Sequence, residues 1–453
     1  MTDQLMLTFY GDDFTGSTDV MEALVLGGVP CVLFLTPPTP EFVRERFSDA
    51  RAIGVAGVSR SLSPAQMNSE LPPQFEALKA LGAPLFHYKI CSTFDSSPTI
   101  GSIGAAIEIG QRIFGTRTVP LMVGAPALKR YVTFGNLYAA FDGDTYRIDR
   151  HPTMSKHPIT PMHEADLRLH LAGQTDRRIG SIDLLALQLE ASLLLEHYQE
   201  QTYQHDVLLF DTVDQADLLK IGQLLTTLQR EAPLFTVGSS GIEYALTACW
   251  QRESVIKTPP ALPSPGAVDQ LLVMSGSAAL QTSAQITWAL ENGFHGIRLD
   301  SAGLIDPQHA GPVSQSAVAE AEAALRAGKN VILYSAIGPA DPSIEATKAR
   351  MSALEIDPAT IGALLGTQQG QIVRTLLERT GLRRVCVVGG DTCGHAARQL
   401  DIYALEIVIP IAPGSPLCRA HSTNPTFDGL EISLKSGQVG KPDYFGSILR
   451  GAV

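Results

Sequence analysis

Basic charge is scarce in this chain: 34 Lys and Arg stand against 46 Asp and Glu, a formal net charge of −12. Binding nucleic acid through a basic face needs clustered cations to neutralise phosphates, and no such cluster is present. Long apolar runs are missing too. None approaches the roughly 18 residues of a membrane span, and the start, MTDQLMLTFYGDD, has no basic segment ahead of an apolar one. We therefore expect no nucleic-acid partner, no membrane partner and a cytoplasmic location. Cysteine is sparse. Cys31, Cys91, Cys249, Cys386, Cys393 and Cys418 contain no CxxC pair, which reads as reduced thiols rather than a disulfide framework or a zinc site. Only Cys393, inside a glycine-rich turn, has the setting of a reactive thiol. Several motifs are also lacking. GxGxxG is not matched, HExxH fails after His163-Glu164, and the nearest text to a P-loop, GQVGKPD at 437–443, has Pro442 where Ser or Thr would hold a metal.

What is present is a repeated alternation. Runs rich in Val, Ile, Leu and Phe predict strands at 5–10, 31–35, 53–58, 85–90, 119–123, 207–211 and 234–237, with helices between them at 17–26, 64–81, 102–112 and 185–203. A second series predicts strands at 270–275, 295–299, 330–335, 384–388 and 406–410, with helices at 279–291, 315–327, 358–379 and 392–399. Continuous apolar strands separated by helices indicate the α/β class, with mainly parallel sheets flanked by helices. Between the two series lies SVIKTPPALPSPGAV at 254–268, whose proline density suits a stiff connector. The expected organisation is a first domain over 1–253, a Pro-rich hinge over 254–268, a second domain over 269–453, and a ligand cleft between the domains.

Three turns in the second half have the layout of phosphate cradles. RVCVVGGDTCGHAAR (384–398) runs from a strand through Gly389 and Gly390 to a helix opened by Asp391 or Thr392. MSGSAA (274–279) places Ser275, Gly276 and Ser277 at the same point after another strand, and PIAPGSPL (410–417) places Gly414 between two prolines. Glycine lets a backbone approach a ligand closely, and a helix N-terminus offers free N–H groups to an anion. One such turn could be only a turn; three at strand ends point to a bound phosphate.

In the first half, GDDFTGS (11–17) puts Asp12 and Asp13 at the end of a strand and the start of a helix. One aspartate there is a common helix cap; two suggest a base for a hydroxyl or a holder of Mg²⁺ near a phosphoryl group. Arg60, in the loop after strand 53–58, and Lys89, before CSTFDSS (91–97), are candidate cations for a substrate carboxylate. HPTMSKHPITPM (151–162) is too rich in proline for a helix or a central strand, and GSSG (238–241) could hold an anion or simply start a helix.

Taken in order, GDDFTG (11–16), KICSTF (89–94), HPITPM (157–162), the Ser275–Ser277 turn, the Gly389–Thr392 turn, the Pro413–Pro416 turn and LKSGQVGKPDYF (434–445) resemble the four-carbon acid sugar kinase family over nearly the whole chain. The resemblance implies an acid-binding first domain and an ATP-binding second domain, with ATP and Mg²⁺ as cofactors and a terminal hydroxyl of a small oxo or hydroxy sugar acid as acceptor. It implies catalysis by Asp12 and Asp13 and substrate binding by Arg60, Lys89, Ser92, Thr93, His157 and Thr160. ATP contacts would fall on Ser275, Gly276, Ser277, Gly389, Gly390, Asp391, Thr392 and Gly414. One departure stands out: many members carry Arg where this chain has Asp95. The FYGDDFTGSTD and CSTFDSS forms look like the branch associated with 3-oxo-isoapionate, with 3-oxo-tetronate, threonate or erythronate as alternatives. A nicotinamide-dependent dehydrogenase and a non-catalytic sensor are the rival readings. The expected partners are the sugar acid and ATP, with a homodimer as the candidate assembly.

Overall fold

The computed structural model describes residues 5–157, 159–259 and 261–452, without the side chains of Ala359 and Asp391. The chain divides into two compact units, Met1–Pro260 and Ala261–Val453. Among the described residues, 256–259 and 261–268 carry no regular structure; Pro158 and Pro260 lie outside the description.

The first unit is built on eight parallel strands: β1 (Leu7–Gly11), β2 (Cys31–Phe34), β3 (Ala52–Ala56), β4 (Leu85–Lys89), β5 (Val119–Met122), β9 (Ile179–Ile182), β10 (Val207–Phe210) and β11 (Leu234–Gly238). Their order is β2-β3-β1-β4-β11-β5-β10-β9. β1, β2, β3, β4, β5, β10 and β11 are buried along their whole length, as strands covered by helices on both faces must be. A separate antiparallel sheet, β6 (Arg130–Thr133), β7 (Asn136–Phe141) and β8 (Asp144–Arg147), follows β5. The sequence reading did not find it, nor β9, because these strands are short and half-exposed and lack an apolar run.

The second unit contains β12 (Leu272–Ser275), β13 (His295–Arg298), β14 (Val331–Tyr334), β15 (Arg384–Val388), β16 (Ile402–Ala412), β17 (Ser415–Ser422) and β18 (Glu431–Lys435) in the order β13-β14-β12-β15-β18-β17-β16. The first five in that order run parallel; β17 pairs antiparallel with both β18 and β16. Gly414, with φ +70°, is in a hairpin turn at the carboxyl end of β16, leading into β17, whereas the other two turns lead into helices. The core holds Val273, Ile286, Ile332, Cys386, Val388, Leu417 and Phe445. Among the described residues no helix is long and apolar enough to cross a membrane.

Candidate active site

In the first unit the carboxyl ends of β1, β3 and β4 gather the charged residues. β1 pairs in register with β4, Gly11 opposite Lys89, and the Asp12 amide donates to the Lys89 carbonyl (2.9 Å), which sets the two loops side by side. The short turn Ser59–Ser61 after β3 is held by Ser59 Oγ against the Tyr88 hydroxyl (2.9 Å) and by the Arg60 amide donating to the Asp12 carbonyl (3.0 Å). That fixes Arg60 above Asp12. Its Nε and Nη2 donate to both oxygens of Asp12 (3.1 and 2.6 Å), and Nη1 donates to Asp13 Oδ2 (2.8 Å). Arg60, expected to grip a substrate carboxylate, instead closes a clasp on the protein's own pair.

Asp13 also caps the helix Phe14–Gly27, its Oδ1 accepting from the Gly16 amide (2.7 Å). The cap reading and the charge-site reading of this aspartate therefore hold together. A Cβ on Gly16 would lie 2.5 Å from Asp13 Oδ1 and 3.0 Å from Lys89 Nζ, so the missing side chain is what lets these groups converge. Lys89, almost fully buried, faces Asp19 at 3.7 Å. Sequence reasoning missed Asp19, although the quoted stretch contained it; nothing in its spacing signals a partner 70 residues away. Burial pushes the Asp12 carboxyl up, against the pull of Arg60, and does the same to Asp19 against Lys89. Burial disfavours the charge on Arg60, but Asp12 and Asp13 outweigh it and hold the guanidinium charged.

The loop after β4 comes next. Phe94, fully buried, has φ +60°, a left-handed conformation that a bulky residue adopts only when its surroundings impose it. Here the ring packs on His170, and Ser96 is held by Gln174 Nε2 (2.8 Å). Thr93 and Asp95 are thereby fixed: the Thr93 hydroxyl donates to Asp95 and lies 2.9 Å from Cys91 Sγ. Burial would raise the Asp95 carboxyl, yet Arg60, the Thr93 hydroxyl and His157 together pull it below its usual range. His157 accepts at Nδ1 from the amide (3.1 Å) and hydroxyl (3.0 Å) of Thr160. The expected substrate residues Arg60, Thr93 and His157 therefore gather around Asp95, with half-buried Ser92 beside Thr93 and Thr160 holding His157. In the GSSG turn Ser239 Oγ donates to Val123 O (2.8 Å) and accepts from the Gly241 amide (3.0 Å).

In the second unit two of the expected turns meet. The Gly276 amide donates to Val388 O (2.9 Å) and the Gly389 amide to Lys435 O (2.9 Å), tying the ends of β12, β15 and β18 together. A Cβ on Gly276 would lie 2.3 Å from Thr392 Oγ1 and 2.7 Å from Gln369 Oε1. Gly389, φ +129°, is the cap of the helix Gly390–Gln399, in a conformation open only to glycine. Ser277 Oγ abuts Gly437, where a Cβ would come within 2.1 Å. The helix after β12 starts at Leu280, later than expected, and its Thr282 and Gln285 hold the 437–441 segment through main-chain carbonyls. Leu417 pairs with Ser433, so the Gly414 turn is level with Lys435; Tyr444 links them, donating to Ser415 O (2.9 Å).

Three buried polar atoms at this edge, Ser275 Oγ, Gln369 Oε1 and Ser415 Oγ, have no hydrogen-bond partner. Buried polar groups without partners are costly, and the two serine hydroxyls, which can donate, together with the exposed glycine backbone fit a polyphosphate, whereas the Gln369 oxygen only accepts and has its amide nitrogen on Ser335 Oγ (2.8 Å). Gln369 and Lys435 are the members that sequence reading did not pick out. Lys435 is fully buried, its Nζ donates to Ser436 O (2.7 Å), and burial lowers it to about 8. The Asp391 side chain lies outside the described residues. Among the described residues no group of three His, Cys, Asp or Glu could hold a metal. Cys393 is buried and its thiol is pushed far up by burial, which fits small-residue packing in the turn rather than a reactive thiol.

The first unit thus gathers paired carboxylates with Arg60 and Lys89 at its strand ends, and the second gathers glycine turns with unpartnered serine hydroxyls. A family model for a sugar-binding N-terminal domain matches residues 7–246, and one for a nucleotide-binding C-terminal domain matches 272–445. The chain is 46% identical over 447 residues to a 3-oxo-isoapionate kinase of Paraburkholderia graminis, covering 99% of this chain and 94% of that one. It is 30% identical to a 3-oxo-tetronate kinase of Cupriavidus necator, covering 98% and 96%. The fold is shared with a solved protein of Haemophilus influenzae, at 23% identity, TM-score 0.71 and coverage of 97% and 98%. The chain therefore belongs to the four-carbon acid sugar kinase family.

Proposed function

We propose that this protein is an ATP-dependent kinase, acting in the cytoplasm, that phosphorylates a terminal hydroxyl of 3-oxo-isoapionate. The observation that carries the reading is the pair of orphaned serine hydroxyls, Ser275 and Ser415, set with the glycine backbone at Gly276 and Gly389. The choice of acid is supported by the higher identity to the 3-oxo-isoapionate kinase than to the 3-oxo-tetronate kinase.

The first unit binds the acid. Asp13 is the aspartate a substrate hydroxyl can reach, since its side chain is 31% exposed against 5% for Asp12. It accepts the hydroxyl proton as the new O–P bond forms, while Asp12 and the helix cap hold Arg60 and Asp13 in place. ATP, bound through Ser275, Gly276, Ser277, Gly389, Gly390, Thr392 and Gly414, supplies the phosphoryl group. With few carboxylates at the cradle, Mg²⁺ would rest mainly on the phosphates, as is usual for this ion. Transfer requires that phosphate to be delivered to the acid, with water excluded.

The test is ADP release by the purified protein with 3-oxo-isoapionate, 3-oxo-tetronate, threonate and erythronate. The highest kcat/KM is expected for 3-oxo-isoapionate, and Asp13→Asn is expected to lower kcat by roughly 100-fold or more. Acid-independent ADP release, or none with any acid, would remove the reading.

A further inference from the structure

Arg130 opens β6 at the edge of the small antiparallel sheet. Its Nη1 donates to the carbonyls of Leu128 (3.0 Å), Lys129 (3.2 Å) and Ala140 (3.5 Å), which fixes the guanidinium. Among the described residues its Nε is buried with no hydrogen-bond partner and its hydrogen bonds run from Nη1; Asp95 acts on it through space. The Nε–Nη2 edge is the one by which Arg60 holds both oxygens of Asp12, and it is the two-pronged edge that carboxylates prefer. On Arg130 that edge is unused.

The rest of the pocket narrows the choice of ligand. Arg60 is closed on Asp12 and Asp13, and Lys89 faces Asp19. Asp95, held ionised by Arg60, Thr93 and His157, repels an anion from the 91–95 loop itself. Cys91 and Asp95 lie close enough to act on Arg130 electrostatically, so the guanidinium borders the same site. Burial lowers Arg130 from its ordinary value, and Cys91 and Asp95, which pull the other way, offset it only in part.

We propose that Arg130 anchors the carboxylate of the sugar-acid substrate on its Nε–Nη2 edge, at the hairpin side of the pocket, leaving the terminal hydroxyl to Asp13. This rests on the kinase reading above. It makes Arg130 a specificity-determining residue for acids over their neutral derivatives.

The experiment compares wild type, Arg130→Met and Arg130→Lys with 3-oxo-isoapionate and with its primary amide, at saturating Mg·ATP. Wild type should strongly prefer the acid. Arg130→Met should raise KM for the acid roughly 10- to 100-fold, leave KM for ATP unchanged, and bring the acid-to-amide ratio of kcat/KM close to one. Arg130→Lys, which keeps charge but not the fork, should fall between. An equal loss on acid and amide would mean that Arg130 only props the hairpin, and an unchanged KM for the acid would mean it does not touch substrate; either overturns the proposal. Should Arg130→Met not fold, the same ratio in Arg130→Lys decides. Wild type without acid-dependent ADP release would instead overturn the kinase reading, and the anchor with it.

Discussion

Lys435 is a fully buried ammonium with no ion-pair partner among the described residues, and its proton affinity reflects that. Burial brings it down to about 8 from an ordinary 10.5. Between those values the unfolded chain holds a proton that the folded chain has released, so stability rises with pH across about 8 to 10.5. Below 8 both states are charged and the penalty is complete. Replacing Lys435 with Met removes this term. Urea unfolding at pH 7 and pH 10 should show the Lys435→Met advantage over wild type shrinking by up to about 3 kcal/mol at the higher pH. Parallel curves for the two proteins would refute it. On the proposed ATP site a bound triphosphate would supply the missing counter-charge, so saturating ATP should flatten the wild-type dependence.

At the scale of elements, the strand–turn–helix around Gly389 and Gly390 separates folding from binding. Gly389 needs its positive φ, whereas a Cβ on Gly390 would meet no protein atom within 4 Å. Gly390→Ala should therefore stabilise the fold by roughly 0.5–1 kcal/mol through the unfolded chain, and yet raise KM for ATP roughly tenfold if phosphate approaches that backbone. Thermal melts and ATP titration check both halves; a gain in stability with unchanged ATP affinity would take Gly390 out of the cradle. These turns were legible in the sequence because buried parallel strands are unbroken apolar runs and their glycines follow directly. The β6–β8 sheet was not, since its strands alternate and stay half-exposed; the PIAPGSPL turn was read, but not the strand β17 after it, which carries Ser, Arg and His among its apolar residues. Pairings across long separations, Arg60 with Asp12 and Gly276 with Val388, leave no trace in local spacing.

For the whole molecule, the division into two units predicts that each ligand protects its own half from hydrogen exchange. The sugar acid should slow exchange around 11–19, 57–62, 89–97 and 128–160, and Mg·ATP around 275–282, 388–393 and 433–441. At 100 times its Kd each ligand should also add about 2.7 kcal/mol to the stability of the unit that binds it. Protection by ATP confined to the first half would reverse the assignment of roles.

The closed clasp of Arg60 on Asp12 and Asp13 has a consequence for redesign. Because that cation is neutralised within the scaffold, the proposed reacting centre would keep its electrostatic balance whichever acid is offered. Retargeting the enzyme to a longer, shorter or uncharged acceptor then becomes a matter of editing the 91–95 loop and the hairpin edge, leaving the machinery at the strand ends untouched.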